Sequence, residues 1–311
     1  MFYNIKDSLI TIFLIKNLFL ASRPNQWTKN LLVFLAPLFA FSFETRILTI
    51  SIKAFISFCL LSSSIYLIND SIDKNQDRKH PTKKFRVIAS GLVSIKSAIK
   101  ISFIFLIISL LIGFSLNNSF GLILFLYFFI QILYCFKLKN VPLIEFFCVA
   151  SGFVLRSIAG GVAAGIFISS WFLLSVGMLS LFLAVEKRKA EILNLKKSEE
   201  ITRNVLKSYS LSLISKFESI LTTSTVMTYS LWAYGPSIGG AKSPFMMVSI
   251  PLVLLGIFRY QMLSDLNHNN LENKYQINIL ETPENVILTD KPIQVIVGFW
   301  LLIIICVGLF S

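Results

Sequence analysis

Apolar residues run along this chain in long unbroken stretches separated by short polar connections. A bilayer-spanning helix needs about 20 such residues. On that measure the sequence predicts about nine crossings, at 27–45, 47–69, 94–116, 118–137, 141–164, 168–187, 211–234, 244–265 and 292–310. The stretches lack the two-residue alternation of barrel strands, so the expected fold class is all-α, a polytopic membrane bundle. Residues 8–21 are apolar as well, but Lys16 interrupts them and Lys6 and Arg23 border them. That pattern predicts a helix lying on the membrane surface, and with no small-residue cleavage site after it, not a cleavable leader. No long linker or low-complexity tract divides the chain, so residues 1–311 read as a single integral-membrane domain.

Composition sharpens the picture. Hydrophobic residues make up 55% of the chain and charged residues only 14%, where soluble domains carry about a quarter charged. A soluble enzyme, a disordered scaffold and an ordinary nucleic-acid-binding domain are excluded. The net charge of +13 comes from 29 Lys and Arg, and these cations flank apolar runs. Lys74, Arg78, Lys79, Lys83, Lys84 and Arg86 lie between the second and third runs, Lys137 and Lys139 after the fourth, and Lys187, Arg188, Lys189, Lys196, Lys197, Arg203 and Lys207 after the sixth. The intervening connections are nearly neutral. By the positive-inside rule the N-terminus and the three longest polar segments face the cytoplasm. The expected location is the plasma (inner) membrane, multi-pass, with the chemistry on the cytoplasmic side and no nucleic-acid partner. The four Cys show no metal-ligand spacing and read as buried hydrophobes.

The densest polar segment is Asn69-Asp70-Ser71-Ile72-Asp73-Lys74-Asn75-Gln76-Asp77-Arg78-Lys79-His80-Pro81, at the end of the second run. On a continuing helix, residues four apart share a face, so Asn69, Asp73 and Asp77 form one stripe with Asp70 beside it, and Pro81 ends the helix by its missing donor. Oxygen donors of this kind suit Mg2+, which shares its shell with substrate phosphates. The plainer alternative is a solvated helix end whose acids pair with Lys74, Arg78 and Lys79. Acids at membrane depth are costly enough to favour function. The basic run downstream, with Lys83 and Arg86, suits a polyphosphate, although topology alone accounts for such cations equally well.

With these residues in view the chain resembles the UbiA superfamily of intramembrane prenyltransferases, through Asn69-Asp70-x-x-Asp73-x-x-x-Asp77 and its spans. More narrowly it is similar to the decaprenyl-phosphate phosphoribosyltransferase branch. The stretches that carry this are Arg23-Pro24-Asn25-Gln26-Trp27-Thr28-Lys29-Asn30, Asn69 through Gly91, Ser151 through Gly161, and Lys187-Arg188-Lys189-Ala190-Glu191. Val87 and Glu186 depart from that branch, which usually has Pro and a small residue at these places. The resemblance implies transfer of 5-phosphoribose from phosphoribosyl diphosphate to a polyprenyl phosphate, with release of diphosphate. It also implies that Asn69, Asp73 and Asp77 hold Mg2+ and the diphosphate, and that Lys29 and Gln26 contact phosphate.

Where prenyltransferases of the superfamily carry a second acidic motif, this chain has Lys187 and Arg188, with Glu191 a turn beyond. The swap suits a donor bringing an extra phosphate, for which Arg offers a planar fork; the alternative is a helix-surface pair between Lys187 and Glu191. Arg156 lies inside the fifth run, where an unpaired guanidinium costs about 2.5–3.5 kcal/mol. Its partner could be a phosphate, one of the Asp residues, or Glu145 on the same helix. Tyr134 and Lys139 are placed to line the same mouth or to serve topology. Gly160, Gly161 and Gly165 suit close helix packing. The rival functions are prenyl transfer from a diphosphate to an aromatic acceptor and, from another class, a carrier for a phosphorylated lipid or anion.

Overall fold

The computed structural model describes residues 16–80, 82–198, 204–269, 286 and 288–310. Pro81 and residues 8–15 of the expected surface helix lie outside the described residues, while 16–21 are helical. A 3-10 helix, Pro24–Phe34, leads into α1 (Leu35–Phe39), α2 (Thr45–Ile72), α3 (Lys74–Lys79), α4 (Ile95–Leu116), α5 (Asn118–Phe136), α6 (Ile144–Ala164), α7 (Ser170–Ser198), α8 (Leu211–Ala233), α9 (Ile250–Asn269) and α10 (Lys291–Phe310). Among the described residues there is no strand.

Among the described residues, seven segments are long and apolar enough to cross a membrane: α2, α4, α5, α6, Ser170–Leu193 of α7, Pro244–Asp265 and α10. The other two expected spans take different forms. Helix α8 covers 211–233 and packs along α7, but Lys216, Glu218 and a run of Ser and Thr make it more polar. Its hydroxyls turn back onto the helix, as Thr225 Oγ1 does to the Leu221 carbonyl at 2.7 Å and Ser230 Oγ to that of Val226 at 2.7 Å.

The segment expected as the first span is broken. Arg23 takes a left-handed conformation (φ 54) ahead of Pro24, and Phe41 another (φ 50) after α1. Pro37 removes one helical donor. A 3-10 helix rises about 2 Å per residue against 1.5 Å for an α-helix. The eleven residues of the 3-10 helix and the five of α1 therefore reach about 30 Å, the thickness of a hydrocarbon core.

Small residues bring the helices together. A Cβ on Gly160 of α6 would stand 2.0 Å from the Val33 carbonyl oxygen, so the 3-10 helix rests directly on the α6 backbone. Between α2 and α4 a seam of serines replaces bulky contacts: Ser64 Oγ meets Ser102 Oγ at 3.0 Å, and Ser109 Oγ donates to the Ser57 carbonyl at 2.8 Å. Buried Phe58, Leu61, Phe120, Leu124 and Ala159 fill the space between α2, α5 and α6. One end of the bundle is closed by short turns, with Lys242 Nζ donating to the Ala40 carbonyl at 2.6 Å and Trp171 Nε1 to that of Ile238 at 3.0 Å. The other end carries the acids.

Candidate active site

Helix α2 stops at Ile72 and α3 starts at Lys74, with Asp73 as the hinge (φ −84, ψ 1). The turn spacing survives the hinge, since the Asp73 N–H reaches the Asn69 carbonyl at 2.9 Å and the Asp77 N–H that of Asp73 at 2.8 Å. Asn69, Asp73 and Asp77 thus follow one another at single-turn intervals, as the sequence predicts. Asp70 and Asp77 are buried and Asn69 and Asp73 half-buried.

The acids take cationic partners, and these are not the ones their own helix offers. Arg23 hydrogen-bonds Asp70. Arg86 Nη1 bridges Asp70 Oδ1 at 3.2 Å and Asp77 Oδ2 at 2.7 Å. Lys139 Nζ, on the 3-10 turn Leu138–Asn140, meets Asp73 Oδ1 at 2.5 Å. Lys74, Arg78 and Lys79 make none of these pairs. Arg78 instead donates through Nε to the Ala89 carbonyl at 2.9 Å, holding the 82–91 loop against α3. Of the expected basic residues, Arg86 and Lys139 are therefore brought onto the acids, and Lys83 lies half-buried on the same loop.

His80 organises that loop. Its Nδ1 accepts from the backbone N–H groups of Thr82 and Lys83, both at 3.3 Å, which leaves Nε2 as the protonated nitrogen. Burial, with Lys83 and Arg86 nearby, lowers the imidazole to about 4. It is neutral at pH 7. His80 lies within electrostatic reach of Asp77 and of Glu191, so the two polar constellations meet.

In the second constellation the central cation already has carboxylate partners. Arg188 is 2% exposed, its Nε 2.9 Å from Glu145 and its Nη1 on Glu191. Its fork is occupied by two carboxylates inside the protein, because a guanidinium so deeply buried requires charge partners of its own. Tyr134 lies within electrostatic reach of Arg188, and Lys187 is half-buried beside it on α7. Tyr209 accepts the Leu143 N–H at 2.7 Å, where Leu143 has φ 66; burial first, then the Glu145 charge, raises the phenol. Lys189 reaches Glu218 at 2.8 Å and Asp265 at 2.9 Å, tying α7 to α8 and α9.

Arg156 does not pair with Glu145 or with the acidic stripe. Its Nε donates to Asn30 Oδ1 at 2.7 Å, Nη1 to the Gly152 carbonyl at 2.7 Å and Nη2 to Tyr127 Oη at 2.6 Å. The Tyr127 ring lies 4.7 Å from the guanidinium carbon. Neutral dipoles and a π face solvate this charge.

Lys29 and Thr28 border an apolar cavity of about 490 Å3 that runs between the 3-10 helix, α7, α8 and α10. Leu32, Leu179 and Leu183 line its walls, and Phe39, Phe172, Tyr229 and Trp300 its aromatic part. Gln26 is half-buried on the same 3-10 helix. Sequence reasoning missed Arg23, Asn30, Tyr127 and Tyr209 as site or support residues. Only the Arg23–Asn30 block, noted as a resemblance, carried any signal for the first two.

Asn69, Asp73 and Asp77 offer hard oxygen donors. Among the described residues no three acidic, His or Cys side chains form a ready cage for a metal. That donor set still fits Mg2+, which is usually held by one or two carboxylates with substrate phosphates completing the shell.

The comparisons with known proteins agree with this architecture. The profile of the UbiA prenyltransferase family matches residues 8–280. The chain is 36% identical over 291 residues to a decaprenyl-phosphate phosphoribosyltransferase of Corynebacterium glutamicum, covering 92% of this chain and 84% of that one. It is 35% identical over 301 residues to the protein of the same name from Mycolicibacterium smegmatis, covering 93% and 91%. Among solved structures, a UbiA homolog from Archaeoglobus fulgidus bound to GPP and Mg2+ superposes with a TM-score of 0.69 at 20% identity, covering 94% and 99% of the two chains. The apo UbiA homolog from Aeropyrum pernix K1 gives 0.64 at 16% identity, covering 89% and 96%. On its sequence and its fold, the chain belongs to the UbiA prenyltransferase family.

Proposed function

We propose that this protein transfers 5-phosphoribose from phosphoribosyl diphosphate to a polyprenyl phosphate, releasing diphosphate, with Mg2+ as cofactor. The acidic end of the bundle faces the cytoplasm of a multi-pass plasma-membrane protein. The observation that carries this reading is the meeting of three carboxylates with Arg23, Arg86 and Lys139 at one end of the bundle. An apolar cavity edged by Lys29 supplies the lipid side. The names of the relatives at about 35% identity support the same activity.

Asn69, Asp73 and Asp77 would hold the metal. Bound there, Mg2+ supplies positive charge against the diphosphate oxygens. Arg86 and Lys139 add charge to the leaving diphosphate, which stabilises the electrons it takes from the ribose C1–O bond. A lipid phosphate oxygen forms the new bond to C1. That oxygen is already anionic at pH 7, so the step needs no strong general base. The neutral His80 is consistent with this, since its Nδ1 is engaged by the backbone. Lys29 sits where a phosphate headgroup would emerge from the cavity, with the isoprenoid chain along Leu32, Leu179 and Leu183.

Purified protein, Mg2+, labelled phosphoribosyl diphosphate and a polyprenyl phosphate test the reading directly. Label is expected in the lipid phase, and removal of Mg2+ with a chelator is expected to abolish its appearance. Asp73→Ala should lose turnover while still inserting into the membrane. Label transfer only from a prenyl diphosphate would overturn the reading in favour of prenyl transfer to an aromatic acceptor. No transfer from either donor would favour a carrier.

A further inference from the structure

We propose that Lys139 and Arg86 are internal counter-cations that occupy the acidic stripe until a divalent ion and a diphosphate arrive together, so that each ligand strongly promotes binding of the other. The inference rests on the functional reading above and adds to it a coupling between its two ligands.

The charges balance in the structure. Asp70, Asp73 and Asp77 face Arg23, Arg86 and Lys139; the acids and Lys139 are largely withdrawn from water, while the Arg23 and Arg86 side chains stay about a quarter exposed. The side chain of Asp70 is 5% exposed, Asp77 6%, Asp73 15% and Lys139 11%. A buried ion that loses its partner costs far more than a surface one. A divalent cation arriving alone must push Lys139 off Asp73 and Arg86 off Asp77, stranding Lys139 and leaving Arg86 only its longer contact with Asp70. A diphosphate arriving alone draws the same cations away and strands Asp73 and Asp77, while Asp70 keeps Arg23. When both arrive, the ion takes the acids and the phosphate oxygens take Lys139 and Arg86. Every charge then keeps a partner. By linkage the coupling is reciprocal.

Lys139 is the place to test this. It reaches Asp73 from the turn between α5 and α6, 66 residues away in sequence, whereas Arg86 is shared between two acids. Its pair can be cut without dismantling the rest.

The experiment uses the full chain in detergent micelles and two separate titrations, Mn2+ alone followed by electron paramagnetic resonance and labelled inorganic pyrophosphate alone followed by equilibrium dialysis. Coupling between two ligands of one protein typically runs about 5- to 150-fold, and removing the cation that mediates it should move the metal affinity on that scale. In Lys139→Gln, Mn2+ affinity without phosphate is expected to rise about tenfold or more, while pyrophosphate affinity falls. Lys139→Arg should return both toward the starting values, which separates lost charge from misfolding. Asp73→Asn is the control for the site itself and is expected to lose Mn2+ binding. If Lys139→Gln leaves Mn2+ affinity unchanged or lowers it while Asp73→Asn loses the metal, the exchange is overturned and the active-site reading stands. If Asp73→Asn keeps its Mn2+ affinity, the site reading itself falls.

Discussion

Arg156 Nε hydrogen-bonds Asn30 Oδ1 at 2.7 Å across 126 residues of sequence, joining the middle of α6 to the 3-10 helix. Asn30 is fully buried and its amide also donates to Ser62 Oγ at 3.3 Å on α2. One amide therefore holds three elements in register around a buried cation.

Asn30→Ala should remove an acceptor from that cation. Leaving one donor of a buried charged group unsatisfied costs about 1–3 kcal/mol or more. The variant is expected to melt at lower temperature in detergent, as followed by intrinsic fluorescence, while Asn30→Asp, which keeps an acceptor, should melt higher than Asn30→Ala.

Gly160→Ala places a methyl group into the Val33 backbone, which cannot swing aside as a side chain would. Overpacking of this kind costs about 1–3 kcal/mol. Gly177→Ala is the comparison, since its nearest new neighbour would be a Val154 methyl at 3.7 Å. Thermal melts of the two should separate clearly, with only Gly160→Ala lowered.

Glu145→Gln tests the Arg188 network. Glu145 is 0% exposed and Arg188 2%, and removing one partner of a buried ion pair costs about 3–5 kcal/mol. Glu191 remains on Arg188, so the loss should fall at the lower end of that range. A larger effect on melting temperature than on pyrophosphate affinity is expected, because the guanidinium serves the α6–α7 contact.

His80 sets a pH signature. Its folded value of about 4 lies below the ordinary histidine value of 6.5, so the folded protein favours the neutral ring. Below 6.5 the unfolded chain binds a proton that the folded one refuses, and stability falls as pH falls from 6.5 toward 4. Above 6.5 this contribution is complete and flat. His80→Asn keeps an acceptor for the loop without a titrating ring. The melting-temperature advantage of the parent over this variant should be constant between pH 7 and 8 and shrink by pH 5.

The line of Asn69, Asp73 and Asp77 was legible because four-residue spacing on a helix decides which side chains align, and the hinge at Asp73 preserved that spacing. Their cations were not. Arg23 and Lys139 come from 47 and 66 residues away, and no local periodicity encodes which helix ends meet. The same limit applies to Arg156. Its need for polar company was readable from its depth, but Asn30 and Tyr127 became its partners only through the tertiary packing of three helices. The burial of Arg188 was not readable either, because Glu145 on another helix sets it. For the spans, apolar length located α2, α4, α5, α6 and α10 well. It could not tell an α-helix from the longer-stepping 3-10 helix at Pro24–Phe34, since hydropathy measures apolar content and leaves rise per residue unmeasured.

That longer step has a mechanical consequence. Rewound as an ordinary α-helix, the eleven residues from Pro24 to Phe34 would shorten by about 5 Å. Thr28 and Lys29 would then be dragged along the wall of the apolar cavity and rotated away from it, with Asn30 pulled off Arg156. The stretched coil acts as a spacer whose length sets where Lys29 stands on the rim of that cavity.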